Sequence, residues 1–480
     1  MASIKLLFLM CKFSFIVAFI AVLPIANCMA QSVADQNLNP KTFDSFLGTY
    51  RFSSGELIVI GRSQRRLYFY FPSSGVARGL DRASPQSDFT WVAGPAFQVF
   101  APVEFKIDFQ RRGTEIFALS MWTREGATKR ADKTHFYREE KVKFQSGNAT
   151  LGGSLLIPAG AGPHPALVCV HGSGEQSRNG FVSIIRFVAD HFARHGIAVL
   201  IYDKRGVGES TGDWSKQTLD DLATDALAGF KMLQDRKDID PRQIGLWGSS
   251  QAGWIMPKMT SQAKDIAFII SVSGAGAGIS VGDQVLYNLE IDFHNAGFTN
   301  DEIAEWKRAY RILYQIIQEG PTASTRPLEE LVRKLQQNPK LTDELRKNWF
   351  LARPNPQIDW EHRDQWFFLY DPNFDARALW QQYPGPVLGV FGELDGLDQV
   401  SEVTPIFART LALRKNTDFT IIVFPKAHHI LMEMETDKPN DNELPNLKRY
   451  VPGYFDAMSD WLLRHVTVKS MTSNKAGRDR

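Results

Sequence analysis

The chain has 480 residues, of which 44% are hydrophobic, 12% aromatic and 22% charged, a composition typical of folded globular domains. It carries 55 basic and 53 acidic residues, and the two extra basic residues, Lys5 and Lys12, lie within the first 30 positions. The remainder is therefore balanced in charge. Because nucleic-acid binding depends on clustered Lys and Arg that neutralise phosphates, this balance argues against a nucleic-acid partner.

Residues 1–30 have the pattern of a secretory signal peptide. Lys5 and Lys12 supply positive charge around the start of the apolar run Phe13–Leu23. Small residues at Cys28 and Ala30 then fit a cleavage site. The alternative is an uncleaved membrane anchor, for which this run is short. We expect an exported protein, periplasmic or extracellular, with no stable membrane insertion once the leader is removed.

The cysteines predict no disulfide bond within the mature chain. Cys11 and Cys28 belong to the leader, which leaves Cys169 as the one remaining thiol. Cys169 lies in the apolar run Ala166–Val170, so we interpret it as a buried strand residue.

Residues 37–140 contain short runs of β-branched and aromatic residues separated by turn-prone segments. This spacing is typical of an antiparallel sheet or a small barrel. We therefore predict an N-terminal β-rich domain with strands at Glu56–Ile60, Arg66–Phe71, Phe105–Phe109, Ile116–Trp122 and His135–Val142. No motif in this domain points to a chemical role.

From residue 141 onward, buried strands alternate with amphipathic helices. Strands are predicted at Ala166–Val170, Ala198–Tyr202, Ile244–Trp247, Ile266–Val272, Val387–Phe391 and Phe419–Phe424, and helices at Phe181–His195 and Leu219–Leu233. This alternation predicts an α/β fold with a mostly parallel sheet, built from two parts, 141–278 and 386–468, before a polar tail, 469–480. Ligands of such sheets bind at the carboxyl ends of the strands.

Residues 279–385 interrupt the alternation over a length too great for a loop, which predicts a helical cap inserted into the core. A capping box begins at Thr299, and helical spacing follows at Ile303–Ile317, Glu329–Leu335 and Leu345–Leu351. The cap is rich in large aromatic side chains, including Trp306, Trp349, Trp360, Trp366 and the rings up to Tyr370. These rings form either the core of the cap or the lining of an apolar substrate pocket, and both interpretations stay open.

The strongest chemical motif runs from Gly248 to Gly253 (G-S-S-Q-A-G), between a predicted strand and a predicted helix. It follows the nucleophile-elbow pattern G-x-S-x-G, with Ala252 in the last glycine position. Small residues are needed there because a sharp turn holds the serine in a strained backbone, where larger side chains would collide. Ser250 is therefore the candidate nucleophile.

A glycine-bearing turn, residues 171–174 (H-G-S-G), ends the predicted strand Ala166–Val170. The backbone N–H groups of Ser173 and Gln251 are candidate donors for an oxyanion hole. The competing interpretation, a dinucleotide-binding loop, fails because Ser177 stands where glycine or alanine is required, and no Walker-type motif occurs. We expect no cofactor.

A serine nucleophile needs a base and an acid that orients the base. Three candidate acids follow the strand that ends near residue 391: Glu393, Asp395 and Asp398. We favour Asp395, just beyond the strand end. Two candidate bases follow the strand that ends near residue 424: His428 and His429. We favour His429 and expect a single base, because adjacent side chains generally point in different directions.

These residues do not predict a metal centre. The acidic cluster lacks the oxygen spacing of an EF-hand calcium loop. The two histidines lack a third zinc ligand at any usual spacing. We therefore expect no bound metal.

Four segments carry a resemblance to a known family: Pro165–Gly174, Tyr202–Ser210, Gly248–Gly253 and Ala427-His428-His429. They look like the matching segments of a group of bacterial α/β-hydrolase esterases, many of them exported and carrying an N-terminal β-rich domain. The likeness covers roughly 141–280 and 385–465, and more weakly the N-terminal domain.

The resemblance implies an α/β-hydrolase fold and a triad of Ser250, Asp395 and His429, in the chain order of that fold. It also implies that the stretch 202–206 is structural, with Asp203 and Arg205 bracing loops. The chain departs from the family pattern at Ala252 and by a lengthening of about two residues before residue 400, which leaves the register of the acid open.

We predict a serine hydrolase that cleaves a carboxylic ester of a small or medium acyl substrate through an acyl-enzyme, with the aromatic cap as a lid. One alternative is a serine peptidase of short peptides or aminoacyl bonds, whose substrate amine Glu302, Glu305 or Glu361 would anchor. A second is a catalytically inactive binding protein on the same fold.

Overall fold

A computed structural model describes residues 43–63, 66–84, 87–360, 370–439 and 441–468. Its N-terminal part is a closed barrel of eight antiparallel strands. The strands are β1 (Gly48–Phe52), β2 (Leu57–Arg62), β3 (Leu67–Tyr70), β4 (Ala77–Arg82), β5 (Thr90–Ala93), β6 (Phe105–Arg112), β7 (Glu115–Thr123) and β8 (Gly126–Thr134). Pairing of β8 with β1 closes the barrel. The predicted N-terminal β-rich domain is confirmed.

Aromatic side chains fill the barrel interior. Tyr50, Phe69 and Trp91 are fully buried in one cluster. Phe46 and Phe109 pack edge to face with ring centroids 4.6 Å apart, a geometry that adds about 0.5–1.5 kcal/mol beyond the area buried. The interior is therefore a packed core.

A second sheet carries the rest of the chain. Its strands are β9 (Tyr137–Ser146), β10 (Ala149–Pro158), β11 (His164–Val170), β12 (Ala198–Tyr202), β13 (Ile239–Ser249), β14 (Ile269–Val272), β15 (Val387–Gly392) and β16 (Phe419–Phe424). They lie in the order β16-β15-β14-β13-β11-β12-β10-β9. β10 runs antiparallel to both neighbours, and the other pairs are parallel. The predicted mostly parallel sheet is confirmed, with Cys169 fully buried in β11.

The run His135–Val142, predicted as a strand of the N-terminal domain, belongs instead to this second sheet. It overlaps β9, which pairs with β10 along its full length of 10 residues. The two strands form a hairpin whose turn contains Gly147 at φ +56°. A domain boundary at residue 140 therefore falls within a strand, whereas the barrel ends at Thr134.

Helices cover the second sheet and form the insertion. Those of the core are α1 (Ile184–Arg194), α2 (Leu219–Gln234), α3 (Ala252–Gln262), α9 (Val400–Ala412) and α10 (Tyr454–Leu463). Between β14 and β15 lie α4 (Val281–Asn295), α5 (Asn300–Glu319), α6 (Arg326–Leu335), α7 (Asp343–Asn348) and α8 (Arg377–Gln382). The predicted capping box is present: Thr299 and Glu302 exchange hydrogen bonds at the start of α5.

The cap has an aromatic core of its own. Trp306 and Trp349 are 1% and 6% exposed. Both pack on Phe293, with ring centroids 5.2 and 6.3 Å away. For these two rings the structure favours the interpretation as cap core over a pocket lining. Trp360 packs at the margin of the same cluster, and Trp366 lies outside the described residues.

Within the described ranges, no helix has both the length and the apolarity needed to cross a bilayer. The predicted leader, residues 1–30, and the predicted polar tail, 469–480, lie outside the described residues.

Candidate active site

Ser250 occupies the tight turn between β13 and α3. Its φ of +57° lies in the left-handed region, which costs a non-glycine residue roughly 1–2 kcal/mol. Main-chain hydrogen bonds hold this conformation: the Ser250 N–H donates to Val272 O (3.0 Å), and the Ser250 carbonyl accepts from Gly253 (2.9 Å) and Ala275 (3.0 Å). The sequence motif therefore forms a strained strand–turn–helix with this serine at its apex.

Packing explains the small residues around the serine. A Cβ atom at Gly248 would lie 2.5 Å from the Cβ of Ala252. A Cβ atom at Gly253 would lie 2.0 Å from the carbonyl oxygen of Ala275. Alanine is thus accommodated at position 252 because glycine stands at position 248, and the departure from the motif leaves the turn intact.

The glycine-bearing turn after β11 lies directly against this elbow. A Cβ atom at Gly172 would be 3.3 Å from Ser249 O and 3.5 Å from the Cβ of Ser250. Among the described residues, the backbone N–H groups of Ser173 and Gln251 have no hydrogen-bond acceptor. The two predicted oxyanion donors therefore lie on adjoining turns, and neither N–H group donates a hydrogen bond to another described residue.

Asp395 and His429 meet beyond the ends of β15 and β16. The Nδ1 atom of His429 is 2.9 Å from Oδ1 and 2.8 Å from Oδ2 of Asp395. Oδ1 also accepts the N–H groups of Leu397 (2.8 Å) and Asp398 (3.0 Å). With Asp395 1% and His429 6% exposed, this charge-assisted pair is shielded from bulk water. Such a bond orients the imidazole and makes Nδ1 the donor.

The other candidates make different contacts. Glu393 accepts the N–H of Lys426 (2.9 Å) at the surface. His428 is fully buried, and its Nδ1 accepts the N–H of Ile430 (3.3 Å). Asp398 lies beside the pair and donates its own N–H to the acid. Of the sequence-predicted acids and bases, the structure joins Asp395 to His429.

Ser273 connects the two halves of the site. Its Oγ donates to the carbonyl of His429 (2.8 Å), and its N–H donates to Val390 O (2.7 Å). Val272, at the end of β14, accepts the N–H of Ser250, and Ala275, two residues after Ser273, donates to the Ser250 carbonyl. The segment 272–275 thus contacts both the turn that holds Ser250 and the main chain of His429. Sequence reasoning missed Ser273, whose only signal is the glycine-rich run that follows it.

Asp395, Asp398 and His429 form a group whose ligand atoms lie within 4.8 Å of one another, a spacing suited to a metal ion. However, Nδ1 of His429 is already paired with Asp395, and Oδ1 of this acid accepts two backbone N–H groups. A metal ion would have to displace these bonds. The donor set therefore fits an acid–base pair better than a metal centre.

Residues 167–441 of the 480 match the family model described as "Alpha/beta hydrolase family". The chain belongs to the alpha/beta hydrolase family. Esterase EstD of Thermotoga maritima is 31% identical over 195 residues, which are 37% of this chain and 46% of EstD. Thiohydrolase aneE of Aspergillus aculeatus is 34% identical over 139 residues, 28% of this chain and 42% of that protein. The chain thus spans less than half the length of these two curated relatives.

Two solved structures are similar at low sequence identity. The alpha/beta hydrolase GrgF from a Penicillium species is 18% identical with a TM-score of 0.41, over 68% of this chain and 99% of that chain. An esterase of Pyrococcus furiosus is 15% identical with a TM-score of 0.41, over 69% of this chain and 92% of that chain.

In this alpha/beta hydrolase the glycine-bearing turn rests on a buried lysine. Lys204 is 3% exposed, and its Nζ donates to the carbonyls of Gly172 (2.6 Å) and Gly174 (2.9 Å). Burial lowers the pKa of Lys204 to about 7. Because Nζ links the carbonyls on both sides of Ser173, it fixes the plane of the peptide that presents the Ser173 N–H. The sequence marked the stretch around Lys204 as structural and assigned no role to the lysine.

The residues flanking this lysine brace loops, as the resemblance implies. Asp203 is ion-paired with Arg178 (2.6 Å), and Arg205 with Asp225 (2.7 Å).

Burial, together with the nearby lysine, lowers the pKa of His171 to about 3. His171 is therefore neutral near pH 7.

We expect Lys204→Met to lower kcat roughly tenfold while changing KM much less. Outright loss of an oxyanion donor costs about 10²–10³ in kcat, and the variant disorients one donor without removing it. Steady-state kinetics with a chromogenic ester would measure this effect. Lys216→Met is the matched control, since Lys216 lies on the surface and pairs with Asp213 (3.6 Å). Equal losses in the two variants would contradict the role of Lys204.

The same variant tests the lowered pKa. Between about pH 7 and pH 10.4 the unfolded chain keeps a proton that folded Lys204 has lost, so stability rises with pH in this window. The free energy of unfolding of the wild type should therefore increase relative to that of Lys204→Met between about pH 7 and pH 9. Urea unfolding at both ends of this interval would measure the difference.

Two buried glutamines connect the cap to the site. The Nε2 of Gln251 donates to the hydroxyl of Tyr370 (2.6 Å), at the end of the aromatic run. The Nε2 of Gln284, on α4, donates to the carbonyl of Leu397 in the loop that carries Asp395. The cap therefore touches both the residue after the candidate nucleophile and the loop of the candidate acid.

The acidic residues considered as amine anchors are engaged elsewhere. Glu302 accepts hydrogen bonds from the N–H of Thr299, from Asn338 and from Lys340, each at 2.7 Å. Glu305 pairs with Arg308 (3.3 Å). Glu361 lies outside the described residues.

Proposed function

We propose that this protein is a serine hydrolase that cleaves carboxylic esters of small acyl substrates through an acyl-enzyme intermediate. The observation that carries the proposal is the buried Asp395–His429 bond (2.8 Å), at the same sheet edge as the strained Ser250 elbow. The family assignment supports hydrolase chemistry, and the name of EstD supports an ester as substrate.

In the first step His429 is the general base. With Nδ1 donating to Asp395, Nε2 is the ring nitrogen that takes the proton of Ser250 Oγ as this oxygen attacks the ester carbonyl. The carboxylate of Asp395 stabilises the resulting imidazolium. The strained turn holds Ser250 at its apex, between β13 and α3, at the carboxyl end of the strand where ligands of such sheets bind.

The oxyanion formed by this attack is bound by the backbone N–H groups of Ser173 and Gln251. His429 then donates its proton to the departing alcohol oxygen, which leaves an ester bond between the acyl group and Ser250. A water molecule, deprotonated by His429, attacks this second ester and releases the acid. The cycle returns the proton to the serine and needs no metal or cofactor.

An ester is preferred over a peptide because the two candidate amine anchors that lie among the described residues already have partners. The carboxylates of Glu302 and Glu305 already have partners within the cap. The peptidase and the inactive binding protein remain the outcomes against which the proposal is tested.

We also propose that the protein acts outside the cytoplasm. The pattern of residues 1–30 supports this, with Lys5 and Lys12 followed by an apolar run and a cleavage site. N-terminal sequencing of protein recovered from the periplasm or the medium should begin at Gln31; a chain retained with its leader intact would contradict cleavage.

Labelling with a fluorophosphonate probe, followed by substrate comparison, tests the function. We expect covalent labelling at Ser250 and faster turnover of short p-nitrophenyl esters than of aminoacyl anilides. Anilide turnover above ester turnover would indicate a peptidase. A protein that is neither labelled nor active on any of these substrates would refute both enzymatic functions and indicate a binding protein.

A further inference from the structure

The barrel is hydrogen-bonded to one segment of the hydrolase part, residues 444–451, which we call the strap. Four main-chain hydrogen bonds join the two: Ala77 N–H to Lys448 O (3.2 Å), Tyr450 N–H to Gly75 O (2.9 Å), Phe97 N–H to Leu447 O (2.7 Å) and Gln98 N–H to Pro445 O (2.9 Å). The β3–β4 turn, the start of β4 and the loop after β5 thus bind the main chain of the strap, with one antiparallel bridge between Val76 and Arg449.

Side chains add further contacts between the barrel and the strap. Arg78, 5% exposed, donates to the carbonyl of Lys448 in the strap and to Gly94 O (3.2 Å) in the barrel. Burial lowers the pKa of Arg78 to about 10. The ring of Tyr450 packs edge to face on Tyr70 of β3, with centroids 5.5 Å apart. A buried guanidinium on backbone carbonyls is costly unless its bonds are kept, so this contact is specific.

The strap in turn holds the loop of the candidate base, residues 427–434. The N–H of Glu433 donates to Arg449 O (2.8 Å), and the N–H of Val451 donates to Leu431 O (2.9 Å). Within the loop, His428 N–H donates to Met432 O (2.8 Å). Main-chain bonds therefore run without interruption from the barrel through the strap to the loop that carries His429.

The remaining hydrophobic surfaces of the barrel are used for packing. Its interior is filled by the aromatic cluster around Tyr50 and Trp91. Its outer face, with Val59 and Tyr70, belongs to the same hydrophobic core as Phe187 of α1 and Phe455 of α10. The barrel is thus built into the hydrolase part on the side of the base loop.

We propose that the barrel is a positioning domain for the general base: through the strap it fixes the loop that sets the Nδ1–Asp395 geometry of His429. The proposal rests on the proposed function, because it takes His429 as the base. A displacement of about 1 Å at a reacting group can cost about 10²-fold in rate, so restraint of this loop has a direct kinetic consequence.

The test uses two glycines in turns of the barrel. A Cβ atom at Gly75 (φ +76°) would lie 2.6 Å from the carbonyl of Tyr450 in the strap. A Cβ atom at Gly113 (φ +61°) would meet nothing within 4 Å. Alanine at either position carries the same left-handed backbone cost, so Gly113→Ala is a matched control for Gly75→Ala.

For Gly75→Ala we expect kcat on a p-nitrophenyl ester to fall about tenfold or more, with KM within about twofold of wild type. The downfield NMR signal of the proton between His429 and Asp395 should weaken or shift. Gly113→Ala should match the wild type in both. Wild-type behaviour of Gly75→Ala, or equal losses in the two variants, would overturn the proposal.

Hydrogen exchange of the wild type gives a second test that needs neither variant to fold. The amides of Glu433 and Val451 should open only together with those of Ala77 and Tyr450 at the barrel contact. Exchange of the Glu433 and Val451 amides while the amides of Ala77 and Tyr450 stay protected would overturn the proposal. Neither the NMR signal nor hydrogen exchange requires turnover. An inactive wild type would therefore refute the proposed function, while these two measurements would still test whether the barrel positions the His429 loop.

Discussion

Ser250→Ala should abolish ester hydrolysis, lowering kcat by on the order of 10⁴- to 10⁶-fold. The variant keeps the backbone turn but removes the oxygen that forms the acyl-enzyme. Hydrolysis of p-nitrophenyl esters over long incubations would measure the residual rate, and fluorophosphonate labelling should be lost in parallel.

The neighbouring serine supplies the control. Ser249 is the last residue of β13, and Ser249→Ala should retain activity within a few-fold of wild type. Thermal unfolding should show that Ser250→Ala remains folded, because alanine has the same left-handed backbone cost as serine. Substantial ester turnover by Ser250→Ala, or loss of labelling in Ser249→Ala, would show that the nucleophile has been misassigned.

Asp395→Asn should lower kcat by about 10⁴-fold with a small change in KM. The asparagine amide presents a donor to Nδ1 of His429, which favours the wrong tautomer and leaves the forming imidazolium without its carboxylate. The wild-type carboxylate accepts Nδ1 at 2.8 Å together with two backbone N–H groups. Steady-state kinetics near neutral pH, with unfolding followed separately, would measure the effect.

Asp398→Asn is the informative partner of this variant. Its backbone N–H would still donate to Asp395, so the acid would keep this contact. We expect a loss below about tenfold, far smaller than that of Asp395→Asn. The opposite ranking would make Asp398 the acid and would place the register of this loop differently from the pairing in the structure.

Local patterns were sufficient for most secondary structure. The predicted strands Ala198–Tyr202 and Phe419–Phe424 have the bounds of β12 and β16, and the capping box at Thr299 begins α5. Such segments can be predicted from the sequence because neighbouring residues determine their secondary structure, through continuous apolar runs or through hydrogen bonds spanning three positions. The run His135–Val142 shows the limit: its residues predict a strand, but the partner of this strand is β10 in the second sheet and not the N-terminal barrel.

By itself, the sequence determined the α/β-hydrolase fold, the presence of a β-rich N-terminal domain and a short set of candidate site residues, because each of these leaves a local motif. Only the tertiary structure decided that the partner of His429 is Asp395, 34 positions away, and that Ser273, 156 positions away, holds the His429 carbonyl. The same is true of Lys204 beneath the glycine-bearing turn and of the strap between barrel and base loop. The physical reason is that these contacts depend on strand order and on the distance between chain segments, which a run of neighbouring residues does not encode.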